Sequence, residues 1–355
     1  MRSISRTTWL ATVLASSVVI AACGGGAAPS AAPPAAASPA RGELPKPELT
    51  RLRIGLSTPS EPVQFAQKLA DMLGIYQKYG FATVEIIGFE GDGKALQALM
   101  AGQLDMMAGG SSSTINTVIT DTPMKVLSMN SVNLTDGLWC TASIKTAADV
   151  KGKTVAISTF GGTSHGAALL GLQGLGLTPK DATITQIGGE SARIAALKGG
   201  SVGCGVVDMG QEVAMRQAGL NLLVDLKKAK LQWGRSGLQA RTDFIQKYPN
   251  TVLVAVASVV EAQNSIFADP RTAAQKFSEF AQIPLDKATT AIDGFLQHGD
   301  RSMMFTEEAF KAPKEVLAAV NPAIANVDVT KAFDHSFLNR LKEIGFYEKN
   351  NIPLN

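Results

Sequence analysis

Ala98-Leu99-Met100-Ala101-Gly102-Gln103-Leu104-Asp105 and Ala196-Leu197-Lys198-Gly199-Gly200-Ser201-Val202-Gly203 are two versions of one pattern, 98 residues apart. In each copy the end of a helical stretch runs into glycine, and an apolar run follows. Glycine is typical of a helix end, because it adopts a left-handed φ without a side-chain clash. The repeat predicts a duplicated chain with one helix-glycine-strand unit in each half.

Short apolar runs alternate with helical stretches around both copies of the repeat. Such alternation indicates βαβ units and a mostly parallel sheet in each half. After Arg241 the sequence predicts helices alone. We therefore expect an α/β fold of two Rossmann-like lobes, with strands at 52–56, 84–89, 104–108 and 125–129 in the first half and 153–158, 183–187, 202–207 and 221–224 in the second.

The body of about 300 residues suits two domains better than one core. We predict that the chain leaves the first lobe once and returns once, with crossings near 138–141 and 236–241. Two crossings form a two-strand hinge, about which lobes can close. The predicted boundaries are 49–139 plus 242–355 for lobe 1 and 140–241 for lobe 2.

The N-terminus predicts export. Two arginines precede an apolar run that is too short to span a bilayer, which is typical of a secretory signal peptide covering residues 1–23. It ends in Ile20-Ala21-Ala22-Cys23, which is similar to a bacterial lipobox and predicts lipidation of Cys23; the alternative is ordinary cleavage after Ala22. Residues 24–48 are rich in Gly, Ala, Pro and Ser and predict a disordered tether. We expect an extracytoplasmic protein held to a membrane through its lipid anchor alone.

Charge and metal-binding residue types exclude several functions. The net charge is +3, so a nucleic-acid partner is not expected. The three histidines are far apart, and the sequence predicts neither a metal site nor a cofactor. Cys140 and Cys204 lie in separate apolar runs; we interpret them as buried free thiols, with a disulfide as the alternative.

Several segments, in this order and spacing, resemble one family: Leu52-Arg53-Ile54-Gly55, the run Gly74 to Gly80, Gly102-Gln103-Leu104-Asp105, and the run Ala148 to Val155. The family comprises the periplasmic sulfonate, nitrate, taurine and thiamine-precursor binding proteins of ABC importers. The resemblance implies the type II periplasmic binding protein fold, a small-molecule ligand between the lobes, no catalysis, and permease and ATPase subunits as partners. We expect the binding protein to be a monomer.

The ligand site is predicted at the carboxyl ends of the parallel strands, where helix N-termini present N–H groups. The loop 109–114 in lobe 1 and the loop 159–165 in lobe 2 each follow a strand and open a helix. Facing each other, they could clamp one anionic or carbonyl group. We predict ligand contacts from Ser57, Thr58, Gln64, Asp92, Ser111, Ser112, Asn130, Thr159, Gly162, Thr163, Ser164, His165 and Asp208.

Three functions remain open: a receptor for an ABC importer, a ligand-sensing subunit for a signalling partner, and a hydrolase that uses Ser164. The third rests on Gly162-Thr163-Ser164-His165-Gly166, which matches the G-x-S-x-G pattern. His165 is adjacent to Ser164 and would point away from it, so we predict no catalysis. Arg235 either pairs with a ligand carboxylate or sulfonate or lies on the surface.

Overall fold

The computed structural model of the chain describes residues 43–354, which contain two β-sheets surrounded by helices. The predicted signal peptide, Cys23 and most of the predicted tether lie outside the described residues. The strands are β1 (Arg51–Leu56), β2 (Thr83–Gly88), β3 (Met106–Gly109), β4 (Met124–Val126), β5 (Ser131–Asn133), β6 (Asp136–Cys140), β7 (Thr154–Ile157), β8 (Thr183–Gln186), β9 (Cys204–Asp208), β10 (Asn221–Asp225) and β11 (Gln232–Arg241).

Most helices follow the strands in βα order, and a helical block closes the chain. They are α1 (Phe65–Met72), α2 (Ile75–Lys78), α3 (Asp92–Met100), α4 (Ser111–Ile119), α5 (Ala147–Val150), α6 (Thr163–Gly174), α7 (Glu190–Lys198), α8 (Glu212–Gln217), α9 (Thr242–Lys247), α10 (Pro249–Ala268), α11 (Pro270–Ala281), α12 (Leu285–Leu296), α13 (Glu308–Ala318), α14 (Ser336–Glu343) and α15 (Phe346–Lys349). Short 3₁₀ turns lie at 62–64, 179–181, 209–211, 226–229, 322–326 and 329–332.

The two sheets repeat one topology. The first has the order β2-β1-β3-β11-β4, in which β1 pairs with β2 and β3 in parallel and β11 is antiparallel to β3 and β4. The second has the order β10-β6-β9-β7-β8, in which β7 pairs with β8 and β9 in parallel and β6 is antiparallel to β9. The prediction of an α/β fold with two lobes is therefore confirmed. The antiparallel neighbour of each parallel trio was not predicted.

The repeated glycines end their helices as the sequence predicts. Gly102 follows α3 with φ of 72°, and Gly200 follows α7 with φ of 69°. Both φ values lie in the left-handed region that favours glycine, so the chain turns directly into β3 and β9. The duplication therefore places the ends of β3 and β9 at equivalent positions of the two lobes.

The predicted position of the first crossing is wrong. β6 pairs with β9 over its whole length, from Asp136 opposite Asp208 to Cys140 opposite Cys204. The chain therefore enters the second lobe before Asp136. It returns along β11, whose start pairs with β5 and whose end pairs with β3 and β4 in the first sheet. The apolar run that contains Cys140 indicates a buried segment, but its pattern does not show which sheet it joins.

The first lobe is built around the long helix α10. Its 20 residues are apolar enough to cross a membrane by length and composition, yet 72% of the apolar window is buried inside the protein. The helix packs in a core with α1, α11 and α14. The helix α10 is therefore the core helix of the lobe, as expected for a helix that is apolar on all sides.

The last residues of the predicted tether belong to the folded body. The carboxylate of Glu48 accepts hydrogen bonds from the backbone N–H of Asn250 at 2.9 Å and from Thr251 N–H at 2.6 Å. These donors lie in the first turn of α10, where N–H groups lack partners within the helix. Leu44 also packs against the core. The folded body thus begins before Leu49. The carboxylate of Glu48 caps α10, although the composition of this segment predicts a disordered tether.

Cys140 and Cys204 form a disulfide, so the interpretation as free thiols is wrong. The two residues are directly opposite in the antiparallel pair of β6 and β9. Facing residues on adjacent strands come close enough for the sulfur atoms to bond. The two cysteines are separated by 64 positions in the sequence, and only the order of the strands in the sheet brings them together.

Candidate ligand-binding site

The carboxyl ends of the parallel strands of both lobes face one cleft, which contains two adjoining cavities. The first is lined by both lobes and has a volume of about 30 Å³. The second has a volume of about 20 Å³. Each has room for about one or two water molecules, so neither holds a larger solute in this conformation. The first cavity is lined by Ser57, Thr58, Glu61, Gln64, Asp92, Asp136, Ser158, Thr163, Ser164, Arg193 and Arg235, and the second by Glu61, Pro62, Val63, Glu190, Asp208, Gly210, Gln211, Arg235, Ala291, Phe295 and His298.

Arg235 lies between the two cavities on the returning strand β11. Its Nη2 is 3.0 Å from Oε2 of Glu61 in the first lobe. Its Nη1 contacts Asp208, which ends β9 in the second lobe, and the hydroxyl of Thr135. The side chain of Arg235 is only 5% exposed. Arg235 is therefore buried and bonded to carboxylates of its own chain, and the surface interpretation is wrong.

Arg193 is the second buried guanidinium of the cleft. It projects from α7 and donates through Nε to the carbonyl oxygen of Val206 and through Nη1 to that of Gly188, both at 2.8 Å. Its Nη2 is 4.0 Å from carboxylate oxygens of Glu61 and of Glu190. Arg193 thus holds the start of α7 against β9 and offers one further terminal nitrogen to the cleft.

The carboxylates of the cleft have strongly perturbed pKa values. Burial raises the pKa of Glu61 to about 8, and the nearby Glu190 adds to the effect. Burial, together with Asp208, raises the pKa of Glu190 to about 7, and burial also raises that of Asp136. Burial acts to raise the pKa of Asp208 too, but Arg235 and other partners hold it below its usual value. Desolvation disfavours the charged carboxylate unless a cation compensates.

His298 borders the second cavity from the loop after α12. Burial lowers its pKa to about 4, so its imidazole is neutral at pH 7. Its Nδ1 lies 3.1 Å from the hydroxyl of Ser131 in the hinge. The histidine therefore adds no positive charge to the cleft at neutral pH.

Asp92 occupies the position at which the sequence predicts a ligand anion. It opens α3 and is 7% exposed; burial raises its pKa, although the nearby Ser57, the backbone of Gly110 at the start of α4 and Ser113 act to lower it. Its Oδ2 is also 3.6 Å from the place that a Cβ would take on Gly162, which precedes α6. The carboxylate of Asp92 thus lies between the N-termini of α4 and α6, the two loops of the predicted clamp.

Part of the predicted site lines the cavities. Ser57, Thr58, Gln64, Asp92, Thr163, Ser164 and Asp208 do so. Gln64 holds the loop after β1, because its amide accepts from Thr58 N–H and donates to the hydroxyl of Ser57.

The other predicted residues lie beside the cavities. Ser111 and Ser112 are fully buried at the contact of α4 with β11 and α6, and Thr159 lies against Gly91. Their hydroxyls find no hydrogen-bond partner within residues 43–354. Gly162 precedes α6 and positions Thr163. Asn130 belongs to a buried amide network with Gln67 and Gln263.

Ser164 and His165 do not form a catalytic pair. Oγ of Ser164 accepts from the backbone N–H of Ser158 at 2.8 Å and shares a hydrogen bond with its hydroxyl at 2.7 Å. Nδ1 of His165 instead accepts from Gly161 N–H at 3.2 Å. A serine nucleophile needs a base within hydrogen-bond reach, which His165 does not provide.

Sequence reasoning pointed to the segment that contains Glu61 but missed four titratable residues of the cleft: Asp136, Glu190, Arg193 and His298. One rule would have found Glu190, because it opens the helix after β8 as Asp92 opens the helix after β2. Asp136 and His298 gave no signal, since they reach the cleft through the hinge and the C-terminal helices. Among the described residues, no group of three or more His, Cys, Asp or Glu side chains is arranged to hold a metal ion.

Comparison with known proteins identifies the family. The profile of the NMT1/THI5 like family matches residues 66–273, more than half of the chain. The chain belongs to this family. Its two lobes and buried cleft are thus those of an NMT1/THI5-like protein.

Individual relatives agree with this assignment. The taurine-binding periplasmic protein of Escherichia coli (strain K12) is 26% identical over 227 residues, which are 63% of this chain and 68% of that protein. The alkanesulfonate-binding protein SsuA from Xanthomonas axonopodis pv. citri, bound to MOPS, has a TM-score of 0.68 and 16% identity, covering 81% of this chain and 99% of SsuA. The periplasmic nitrate-binding protein NrtA from Synechocystis PCC 6803 has a TM-score of 0.68 and 17% identity, covering 87% of this chain and 92% of NrtA.

The structural likeness defines the fold as that of periplasmic binding proteins. The desulfurization enzyme DSZB shares it at a TM-score of 0.56 and 15% identity, covering 82% of this chain and 99% of DSZB. The fold therefore accommodates both binding proteins and an enzyme, and the choice between them depends on the site.

Proposed function

We propose that this NMT1/THI5-like protein is the extracytoplasmic substrate-binding subunit of an ABC importer and captures a small organic solute between its lobes. The observation that carries the proposal is a polar cleft, lined from both lobes, at the end of a two-strand hinge. Separation of the lobes would admit the solute, and closure would bury it. The transporter would then recognise the closed form.

The cleft supports binding rather than catalysis. The hydroxyl of Ser164 is hydrogen-bonded to that of Ser158, and His298 has a lowered pKa and contacts Ser131. We propose that the solute contacts Thr163 and Ser164 on α6 and Ser57, Thr58 and Asp92 in the first lobe, with Asp208 at the other end. Each lobe would supply only part of these contacts. The complete site would therefore form only when the two lobes close on the solute.

The location of the protein is part of the proposal. The disulfide between Cys140 and Cys204 supports export, because disulfides persist in oxidising compartments outside the cytoplasm. The lipobox-like sequence at Cys23 supports anchoring to a membrane through an acyl chain. We propose that a single copy of the anchored protein docks on permease and ATPase subunits. Labelling with a radioactive fatty acid, lost in a Cys23→Ser variant, tests the anchor.

A binding screen on the purified mature protein tests the proposed function. Alkylsulfonates, nitrate, aromatic carboxylates, pyrimidines, amines and amino acids are added singly, and the melting temperature is measured. A solute that binds the native state raises the melting temperature with its concentration. X-ray scattering then shows whether the same solute reduces the radius of gyration. We expect saturable binding without chemical change of the solute; turnover of the solute would contradict the proposal.

Uptake in cells distinguishes an importer from a signalling role. Deletion of the gene is expected to abolish uptake of the solute found in the screen, and the wild-type gene should restore it. Unchanged uptake together with a lost transcriptional or chemotactic response would assign the protein to a sensor instead.

A further inference from the structure

The cleft contains more acidic than basic side chains. Among residues 43–354, the two cavities are lined by five carboxylates and two guanidiniums. With His298 neutral, full ionisation would leave three negative charges uncompensated. The carboxylates are Glu61, Asp92, Asp136, Glu190 and Asp208, and the guanidiniums are Arg193 and Arg235.

The two arginines are already committed. Arg235 contacts Glu61 and Asp208 with its two terminal nitrogens. Arg193 gives Nε and Nη1 to backbone carbonyl oxygens and reaches Glu61 and Glu190 only at 4.0 Å. A buried charge that lacks a close partner is costly. The guanidiniums therefore leave part of the negative charge available to a solute.

One residue that lines the first cavity has a buried carboxylate oxygen without a hydrogen-bond partner. Asp136 lines this cavity and is 3% exposed. Its Oδ1 is 3.8 Å from Nη2 of Arg235, whereas its Oδ2 has no hydrogen-bond partner in the part of the chain that the structure describes. Buried polar atoms are normally satisfied, so an unpartnered carboxylate oxygen at a cavity wall marks a position for a donor.

The position for a ligand anion is filled by the chain itself. The carboxyl group of Asp92 lies beside Gly110 and Ser113 at the start of α4 and beside Gly162 at the start of α6. It takes up the space between the two helix starts, and in its ionised form it would repel a second anion at short range. The charge of the cleft thus disfavours a simple anion such as nitrate.

The second cavity adds an apolar wall. Val63, Ala291 and Phe295 line it, and each is buried. This wall adjoins Glu61 and Glu190. An apolar surface next to carboxylates suits a molecule that has a hydrocarbon part and a cationic end.

We propose that the solute carries a cationic nitrogen, a protonated amine or amidine, which lies against Asp136 and Glu61, and an apolar part that lies against Val63 and Phe295. This inference rests on the proposed function, because it names the chemical class that the same cleft takes. The nitrogen donates to Oδ2 of Asp136 and restores the charge balance that the two arginines leave incomplete. The raised pKa values of Glu61 and Asp136 agree, since without a cation these carboxyls retain protons.

Matched pairs of probes test the inference. Benzylamine is compared with benzyl alcohol, taurine with ethanesulfonate, and n-butylamine with n-butanoate, by calorimetry on the mature protein at pH 7.5. We expect at least one amine to bind tenfold or more tightly than its amine-free partner. Asp136→Asn should weaken that amine at least tenfold, whereas Asp286→Asn, on a side chain that is 75% exposed, should leave its affinity unchanged.

Proton release provides a readout on the wild-type protein, should Asp136→Asn fail to fold. A cation lowers the pKa of the carboxyls that it contacts, so binding should release protons and the measured heat should depend on the ionisation enthalpy of the buffer. Affinity should accordingly rise between about pH 6 and pH 8.5. Proton uptake, or affinity that falls with pH, would overturn the inference.

The outcomes separate this inference from the proposed function. Tighter binding of ethanesulfonate or n-butanoate than of the amines would overturn the cationic solute and leave the binding function intact. Equal binding of K⁺ or Mg²⁺ would also overturn it in favour of an inorganic cation. Absence of saturable binding by any of these probes and by every solute of the binding screen would overturn the proposed function and the inference with it.

Discussion

Arg235 holds Glu61 at 3.0 Å, Nη2 to Oε2, and this ion pair connects the hinge strand β11 to the loop after β1. The same guanidinium contacts Asp208 of the second lobe. One buried cation on the strand that crosses between the lobes therefore contacts carboxyl groups of both lobes.

We expect Arg235→Gln to destabilise the protein by about 3–5 kcal/mol at pH 7, because it leaves buried carboxylates without their cation. At pH 5 the loss should be smaller, since Arg235 lowers the pKa of Asp208 and of Asp136, and without it these buried carboxyls take up protons more readily as the pH falls. Urea unfolding at both pH values measures the difference. Arg216→Gln is the matched control, because its pair with Glu212 is largely exposed and worth under about 1 kcal/mol. An equal loss at pH 5 and pH 7 would contradict the charge argument.

The ligand-free protein should become less stable as the pH rises from about 4.5 to about 8. Glu61 has a pKa of about 8 in the folded protein, above its ordinary value of 4.5, so the folded state binds more protons than the unfolded state in this window. Glu190 acts in the same direction up to about pH 7. The lowered pKa of Asp208 stabilises the folded protein at pH values above its ordinary pKa of 3.8. This contribution is lost only as the pH falls below that value.

Melting temperatures from pH 4 to pH 9 test this pH dependence. Glu61→Gln should flatten the decline between pH 5 and pH 8, because it removes the largest proton difference. Glu279→Gln, on a side chain that is 58% exposed, should leave the profile unchanged. A stability maximum near pH 8 in the wild-type protein would contradict the raised pKa values of the carboxyls of the cleft.

Gly110→Ala should hinder closure of the lobes. A Cβ on Gly110 would lie 2.5 Å from Oγ1 of Thr163 in the second lobe and 2.9 Å from the backbone oxygen of Arg235. The φ of −92° at Gly110 is open to alanine, so the conflict is between lobes rather than within the backbone. We expect affinity for the solute to fall tenfold or more, with a larger radius of gyration in its presence.

Gly189→Ala provides the matched control for this variant. It precedes a helix of the second lobe, as Gly110 precedes one of the first, but a Cβ there meets no described atom within 4 Å. Its affinity and radius of gyration should equal those of the wild type. If both variants bind alike, contact between Gly110 and Thr163 is not needed for capture.

The sequence predicts the fold well because the fold depends on local patterns. The helix-glycine-strand units at Gly102 and Gly200 carry their own left-handed turns, and the alternation of elements defines the parallel trios. The pairing of the antiparallel strands β6 and β11 was not predicted, because the partner strands of each are distant in the sequence. An apolar run shows that a strand is buried, but it does not show its neighbour.

The site was predicted in part for the same reason. Ser57, Asp92, Thr163 and Asp208 follow strands or open helices, and the strand-end rule finds such residues. The rule gives positions without charges, so it did not show that Asp92 fills the predicted anion position. Asp136 gave no local signal, since the hinge brings it to the cleft.

Removal of the disulfide between Cys140 and Cys204 should lower the free energy of unfolding by about 2–4 kcal/mol. The bond closes a loop with a sequence separation of 64, and cross-linking such a loop restricts the unfolded chain. Urea unfolding of a Cys140→Ala, Cys204→Ala variant measures the effect. The wild-type protein in dithiothreitol should unfold at the same urea concentration as this variant, and the variant itself should not respond to dithiothreitol. Unchanged stability after reduction would mean that strand pairing alone holds this edge of the site.

Loss of the disulfide should also weaken solute binding. The bond links β6 to β9 next to Asp136 and Asp208, so its loss should loosen the second lobe at the cleft.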